Sequence, residues 1–214
     1  MNRRIVRTVV AGSFVVAAAF AVAQEQKKPP SGMSEADTKA CVEAATPGPQ
    51  HAFLAEGAGV WTGPSTIWMA PGAEPAKSTL TSTVTPIMDG RYVRVETRCE
   101  MPGMGPHNGF GLYGFDNVSQ TYESVWIESS GTGVAHAQGE RSADGQSMTW
   151  TYQVNCPVTK KPTTMRVVEK RTGKDAETLE IFVLDPKSGQ EYKAMQATLT
   201  RTRPVAPEKI VGSR

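Results

Sequence analysis

The chain has 214 residues, with 23 Lys and Arg set against 21 Asp and Glu. That near balance, without basic clusters, gives no electrostatic reason to expect nucleic acid or an anionic membrane as a partner. Once the N-terminal segments are set aside, about 165 residues remain, which suits one domain around one core.

Arg3, Arg4 and Arg7 make a basic start, and Val9 to Val22 is a run of apolar and small residues. Ala21-Val22-Ala23 then reads as a cleavage site, so residues 1–23 are predicted to be a signal peptide and Gln24 the mature N-terminus. The run is short for a membrane span. No Cys follows it directly, so no lipid anchor is suggested. The expected location is the bacterial periplasm or the outside, with no membrane contact after cleavage. Loss of the three Arg leaves 20 basic against 21 acidic groups. Lys27-Lys28-Pro29-Pro30-Ser31-Gly32 cannot bury anything and reads as a tether. A short helix is expected from Ser34 to Ala45, because Ser34 fits an N-cap with Asp37 three residues on. Thr46-Pro47-Gly48-Pro49 ends it. The domain proper is expected over residues 46–205, followed by a flexible tail, 206–214.

After Gly57 the pattern changes to a period of two, broken by turn residues. Strands are predicted near Val60–Met69, Ser78–Met88, Tyr92–Met101, Gly109–Phe115, Tyr122–Ser129, Val134–Glu140, Met148–Asn155, Thr164–Arg171, Thr178–Leu184 and Tyr192–Arg203. Turn signals such as Pro71-Gly72, Asp89-Gly90, Asp116-Asn117 and Asp144-Gly145 separate them. About ten short strands in hairpin order predict an all-β, antiparallel, up-and-down barrel, since closure removes exposed edges. Alternation assigns the faces. Val93, Val95, Thr97 and Cys99 share one face, and Arg94, Glu96, Arg98 and Glu100 the other, which must be outside because burying four charges is very costly. Met148, Trp150, Tyr152, Val154 and Cys156 form an inner face, as do Met195, Ala197, Leu199 and Arg201, with Arg201 at the rim.

The most distinctive block runs from Gly109 to Gly133. It reads Gly109-Phe110-Gly111-Leu112-Tyr113-Gly114-Phe115-Asp116-Asn117, then Tyr122, Trp126 and Gly131-Thr132-Gly133. Asp116 and Asn117 separate two strand-forming runs, a β-hairpin signature. This block resembles the bacterial domain-of-unknown-function family 1579 (DUF1579), and the resemblance covers roughly His51 to Arg203. It implies a closed, lipocalin-like (calycin-type) barrel and no established activity. Gly59-Val60-Trp61 is similar to the Gly-x-Trp that opens lipocalin-like barrels. In those barrels an Arg from the last strand stacks across the Trp, and Arg201 is in the matching place. The resemblance therefore implies a structural role for Trp61 and Arg201, through a cation–π contact that closes the barrel end.

Residues that could carry chemistry are few. Cys41, Cys99 and Cys156 in an exported chain suggest one bridge and one free thiol, with three pairings open. Cys99–Cys156 is favoured because both residues lie on inner faces at the same barrel end. His51, His107 and His136 show no metal-ligand spacing, so no metal site is predicted. His51 is expected to pack or cap under the barrel, His107 to sit on a rim, and His136 to point into the interior. The loop Met101-Pro102-Gly103-Met104-Gly105-Pro106 suits a soft flap over an apolar ligand, a hydrophobic plug, or a paired-thioether site for Cu(I). Gly131-Thr132-Gly133 lacks the helix and Lys of a phosphate loop. Asn117-Val118-Ser119 fits a glycosylation sequon within a tight turn.

The reading that follows is an exported barrel binding a small apolar or aromatic molecule, with Trp126, His136, Trp150 and Tyr152 lining the cavity under Met101 and Met104. No cofactor is predicted. Haem ligated by His136 or His107 is the sharper version. The rival classes are a cavity-based hydrolase or isomerase using His136 or an interior carboxylate, and a structural module with a filled barrel.

Overall fold

The structure, a computed structural model, describes residues 32–208. The predicted signal peptide, most of the tether and residues 209–214 lie outside the described residues. The chain divides between Thr38 and Lys39 into two units. In the first, Ser34 caps the start of α1 (Glu35–Ala45): its hydroxyl accepts the Asp37 N–H at 3.1 Å, and its own N–H donates to the Asp37 carboxylate.

The second unit is a closed barrel of ten antiparallel strands, each hydrogen-bonded to its sequence neighbours, with the first closing on the last. The strands are β1 (Gly59–Ile67), β2 (Ala76–Ile87), β3 (Tyr92–Met101), β4 (Gly105–Asp116), β5 (Thr121–Glu128), β6 (Ala135–Arg141), β7 (Ser147–Asn155), β8 (Pro162–Gly173), β9 (Ala176–Leu184) and β10 (Glu191–Arg203). All ten predicted strands are present. The largest shift is at β4, which begins at Gly105 because Met101 and Gly105 pair directly across a turn of three residues. The predicted Met-rich loop is therefore a tight hairpin rather than a flap. Among the described residues, no helix is long and apolar enough to cross a membrane.

A second helix, α2 (Pro49–Ala55), was not expected from the sequence. Pro47 and Pro49 read as terminators, but a proline at the first helical position costs no hydrogen bond and starts this helix. His51 is buried there, and its Nδ1 accepts the Gly48 N–H at 3.0 Å. Phe53 faces the barrel and meets two guanidiniums, Arg141 at 3.8 Å and Arg171 at 4.6 Å from the ring centroid. α2 thus packs at the lower end, where β1 begins. The upper end carries the β1–β2, β3–β4, β5–β6, β7–β8 and β9–β10 turns.

The lower end is also held by side chains that reach backbone groups. Asn117, in the β4–β5 turn, donates to the carbonyls of Ala44 at 3.1 Å and Thr46 at 2.8 Å, which occupies the amide of the glycosylation sequon. Arg201 lies 4.4 Å from the Trp61 ring centroid, and the two residues are strand partners across the β1–β10 seam. Gly59 makes room for this stack: a Cβ there would stand 2.9 Å from Arg201 Cγ, at a φ of +152°. At the C-terminal end, Glu208 pairs with Arg94 at 2.9 Å and donates its N–H to Pro86.

The favoured Cys99–Cys156 disulfide is not formed, and all three cysteines are free. Both residues do lie at the upper end. However, β4, β5 and β6 stand between their strands, which puts them on widely separated parts of the barrel wall. Strands are about 4.8 Å apart, so this exceeds the roughly 4.4–6.8 Å between Cα atoms that a disulfide spans.

Candidate functional site

The inward side chains leave a cavity of about 390 Å³ that runs from the upper rim to the α2 end. Its middle is apolar, walled by Leu80, Val95, Met165, Leu179 and Ile181. Polar groups sit at its two ends and along one wall.

At the rim, Trp126 donates its indole N–H to Glu128 Oε2 at 3.2 Å, and Ser130 donates to Oε1 at 2.7 Å. His107 Nε2 lies 3.6 Å from the same carboxylate. Cys99 and Met101 share this rim on β3, with Cys99 directly opposite His107. Burial pushes the Cys99 thiol above its ordinary range, helped by the charges of Glu100 and Glu128, so it is a poor nucleophile at neutral pH. Among the described residues, no group of three or more His, Cys, Asp or Glu is placed to hold a metal ion.

On the wall, Ser124 donates to the Tyr152 hydroxyl at 2.8 Å, which in turn donates to Tyr113 at 3.0 Å. Burial raises both phenols, Tyr113 well above its ordinary value and Tyr152 to about 12.

The floor holds two carboxylates, Glu169 on β8 and Glu177 on β9. Each keeps some accessible surface, and both line the cavity, where bulk water does not reach as freely as at the outer face. Trp150 donates its indole N–H to Glu169 Oε2 at 3.3 Å. Burial raises the Glu169 carboxyl, and burial plus the neighbouring Glu169 charge push Glu177 up to about 7.

The predicted site residues divide clearly. Trp126, Trp150, Tyr152 and Met101 line the cavity, and His107 joins them at the rim. Met104 does not: it sits at the hairpin tip and is 57% exposed. His136 does not either. It is exposed on the outer face of β6, while Ala135, Ala137 and Gly139 take the inner positions. The reason is steric, since Trp150 lies so close over β6 that a Cβ on Gly139 would stand 2.5 Å from its ring. The histidine named for cavity catalysis is thus outside the cavity, whereas the alternative, an interior carboxylate, has Glu169 and Glu177 in the cavity lining. Glu169 and Glu177 were missed because acids were assigned outward. The period of two, carried from Met165 and Val167 to Glu169 and back from Ile181 and Leu179 to Glu177, places both inside.

The crystal structure of Rv2717c from M. tuberculosis is similar in fold, with a TM-score of 0.57 at 16% identity over 74% of this chain and 100% of that one. The S-type phycobiliprotein lyase CPES from Guillardia theta gives a TM-score of 0.48 at 10% identity, over 75% and 96% of the two chains. A comparison with curated protein sequences gives no match. The closed ten-stranded antiparallel barrel shares its fold with Rv2717c. The family model for proteins of unknown function, DUF1579, matches residues 46–201, so the chain belongs to the DUF1579 family.

Proposed function

We propose that this protein, exported as its N-terminal sequence predicts, binds one small apolar or aromatic molecule inside the barrel. The observation that carries the reading is the unfilled interior. Ten strands enclose about 390 Å³ that the protein's own side chains leave open. That volume lies at the low end of small-molecule pockets, which run from roughly 300 to 1,000 Å³. Apolar walls supply the affinity, at about 25 cal/mol per Å² of apolar surface removed from water. The indole and phenol groups of Trp126, Tyr113 and Tyr152 supply flat surfaces and a few fixed polar contacts.

Native mass spectrometry of protein produced in a bacterial periplasm tests this, followed by denaturing extraction of whatever it carries. The expected result is a one-to-one adduct, either co-purified or formed with added 2-(1-naphthyl)ethanol. A Leu179→Trp variant that fills the middle of the cavity should keep its barrel circular dichroism and lose the adduct. A wild-type protein that carries nothing and takes up no probe would overturn the reading.

A further inference from the structure

Arg171 and Glu177 are strand partners on β8 and β9 and both line the cavity, yet they form no ion pair with each other. Arg171 is turned toward α2 instead. Its guanidinium pairs with Glu56, donates to the Phe53 carbonyl at 2.9 Å, and lies over the Phe53 ring. The second cation of this end is committed as well. Arg201 pairs with Asp175 at 3.0 Å, donates to the carbonyls of Ala58 and Glu56, and stacks on Trp61. Arg141, the third arginine, lies over Phe53 and reaches the Gly145 carbonyl, and Lys170, which also lines the cavity, makes an ion pair with neither acid.

The two floor carboxylates are therefore left with acceptor capacity that the protein does not use. Glu177 has no hydrogen bond and no ion pair among the described residues. Glu169 is half-buried against the cavity and spends only one oxygen, Oε2, on the Trp150 indole. Half-buried acceptors that face a largely apolar cavity with no protein donor to spare leave a place for a donor carried by a ligand. An ionised ligand carboxylate in this position would stand beside two carboxyl groups whose ionisation it opposes, and the nearby Arg171 and Arg201 are already paired with Glu56 and Asp175.

We propose that the cavity takes a ligand with a protonated amine or amidinium head directed at Glu169 and Glu177 and an apolar or aromatic body packed toward Trp126. The inference rests on the cavity-binding reading above and adds the chemical class and the orientation of the ligand. A cationic head satisfies both acids at once through charge-assisted hydrogen bonds. The neutral tail lies against Leu80, Leu179 and Ile181 in the dry middle of the barrel. The wall phenols remain neutral near pH 7, so they add no charge that competes for the head.

Three probes with one aromatic body separate this inference from its parent: 2-(1-naphthyl)ethylamine, 2-(1-naphthyl)ethanol and 1-naphthylacetate, measured by titration calorimetry on the mature protein. The amine should bind about tenfold or more tighter than the alcohol, and the acetate weakest. Glu169→Gln and Glu177→Gln should each remove about tenfold of amine affinity and leave the alcohol within about threefold, which also shows that the variants fold. Near pH 6.5, titration in buffers of different ionisation enthalpy should show proton release on amine binding, as the cation draws Glu177 into its charged form. The release should vanish in Glu177→Gln and be absent for the alcohol. Equal binding of amine and alcohol, or a Gln variant that weakens both alike, would overturn the inference and leave cavity binding standing. Failure of all three probes to bind would overturn both.

Discussion

Gly111 on β4 and Trp126 on β5 are register partners, and the indole covers the glycine so closely that a methyl on Gly111 would stand 2.6 Å from Cε3. The same indole covers Gly109, where an added Cβ would meet Cζ2 at 2.1 Å. Gly109 and Gly111 are thus spaces occupied by a tryptophan from the next strand, while Gly114 of the same motif lies against Tyr92 of β3. Gly111→Ala is expected to destabilise the barrel by about 1–3 kcal/mol through overpacking. The alanine should cost clearly less in a Trp126→Ala background, because the two positions are coupled. Urea denaturation of the four proteins measures this, and an equal cost in both backgrounds would remove the steric explanation.

Arg201 and Trp61 supply the second prediction. The guanidinium closes the β1–β10 seam by stacking on the indole and reaching the carbonyls of Ala58, Glu56 and Lys174. Arg201→Ala should cost about 2 kcal/mol or more, since those carbonyls lose charged donors as well as the stack. Arg201→Lys should recover less than half, because an ammonium cannot present a planar fork to several acceptors. Full recovery by Lys in a thermal melt would mean that charge alone is what the seam needs.

The architecture was legible because most strands alternate one charged face with one apolar face, as Arg94, Glu96, Arg98 and Glu100 do against Val93 and Val95. A barrel then follows from hairpin order and the need to close edges. The Trp61–Arg201 contact was legible through the lipocalin-like resemblance, and the inner faces of β7 and β10 through aromatic and aliphatic spacing. The faces of β6 were not legible. Its inner positions are Ala135, Ala137 and Gly139, small residues covered by tryptophans of adjacent strands, so the large polar residue His136 gave the wrong face. The cysteine pairing failed for a different reason. Sequence places Cys99 and Cys156 at one end, but the distance around a closed wall appears only once the strand count and order are fixed. The floor acids stayed hidden because a buried carboxylate looks, in sequence, like a surface one.

Tyr152 and Tyr113 give a prediction at alkaline pH. Burial lifts Tyr152 to about 12 and Tyr113 well above the ordinary phenol value, whereas an unfolded tyrosine ionises near pH 10. The folded state therefore holds more protons than the unfolded one between those values. The stabilising contribution is complete below about pH 10 and is lost as pH rises toward 12. Tyr152→Phe should flatten this loss. At neutral pH it should cost about 1–2 kcal/mol, because Ser124 loses its acceptor and Tyr113 its donor. Tyrosinate absorbance followed through an alkaline titration should lose one tyrosine's amplitude near pH 12 in the variant, while Tyr113 still resists ionisation. An amplitude near pH 12 that persists unchanged would remove Tyr152 as its source.

Glu177 gives a prediction of the same sign near neutrality. The charged groups acting on it are Glu169 and Arg171 on β8 and Arg201 on β10, the two arginines being paired with Glu56, just past α2, and with Asp175. Its folded value of about 7 lies above the ordinary 4.5, so between these values the folded state binds the extra proton. Stability from this group is fully present below about pH 4.5 and falls as pH rises toward 7, with a slope of at most about 1.4 kcal/mol per pH unit. Surface carboxylates such as Asp116, Asp144 and Asp185 are held low by hydrogen bonds from Val118, Ser142 and Ser188, so they act oppositely and at lower pH. They are common to the wild type and Glu177→Gln, so the difference between the two proteins isolates Glu177. Going from pH 5 to pH 7.5, the Tm of the wild type should drop relative to that of Glu177→Gln. Parallel pH profiles for the two proteins would mean that Glu177 ionises in the folded state as freely as in the unfolded chain, and that the cavity floor is open to water.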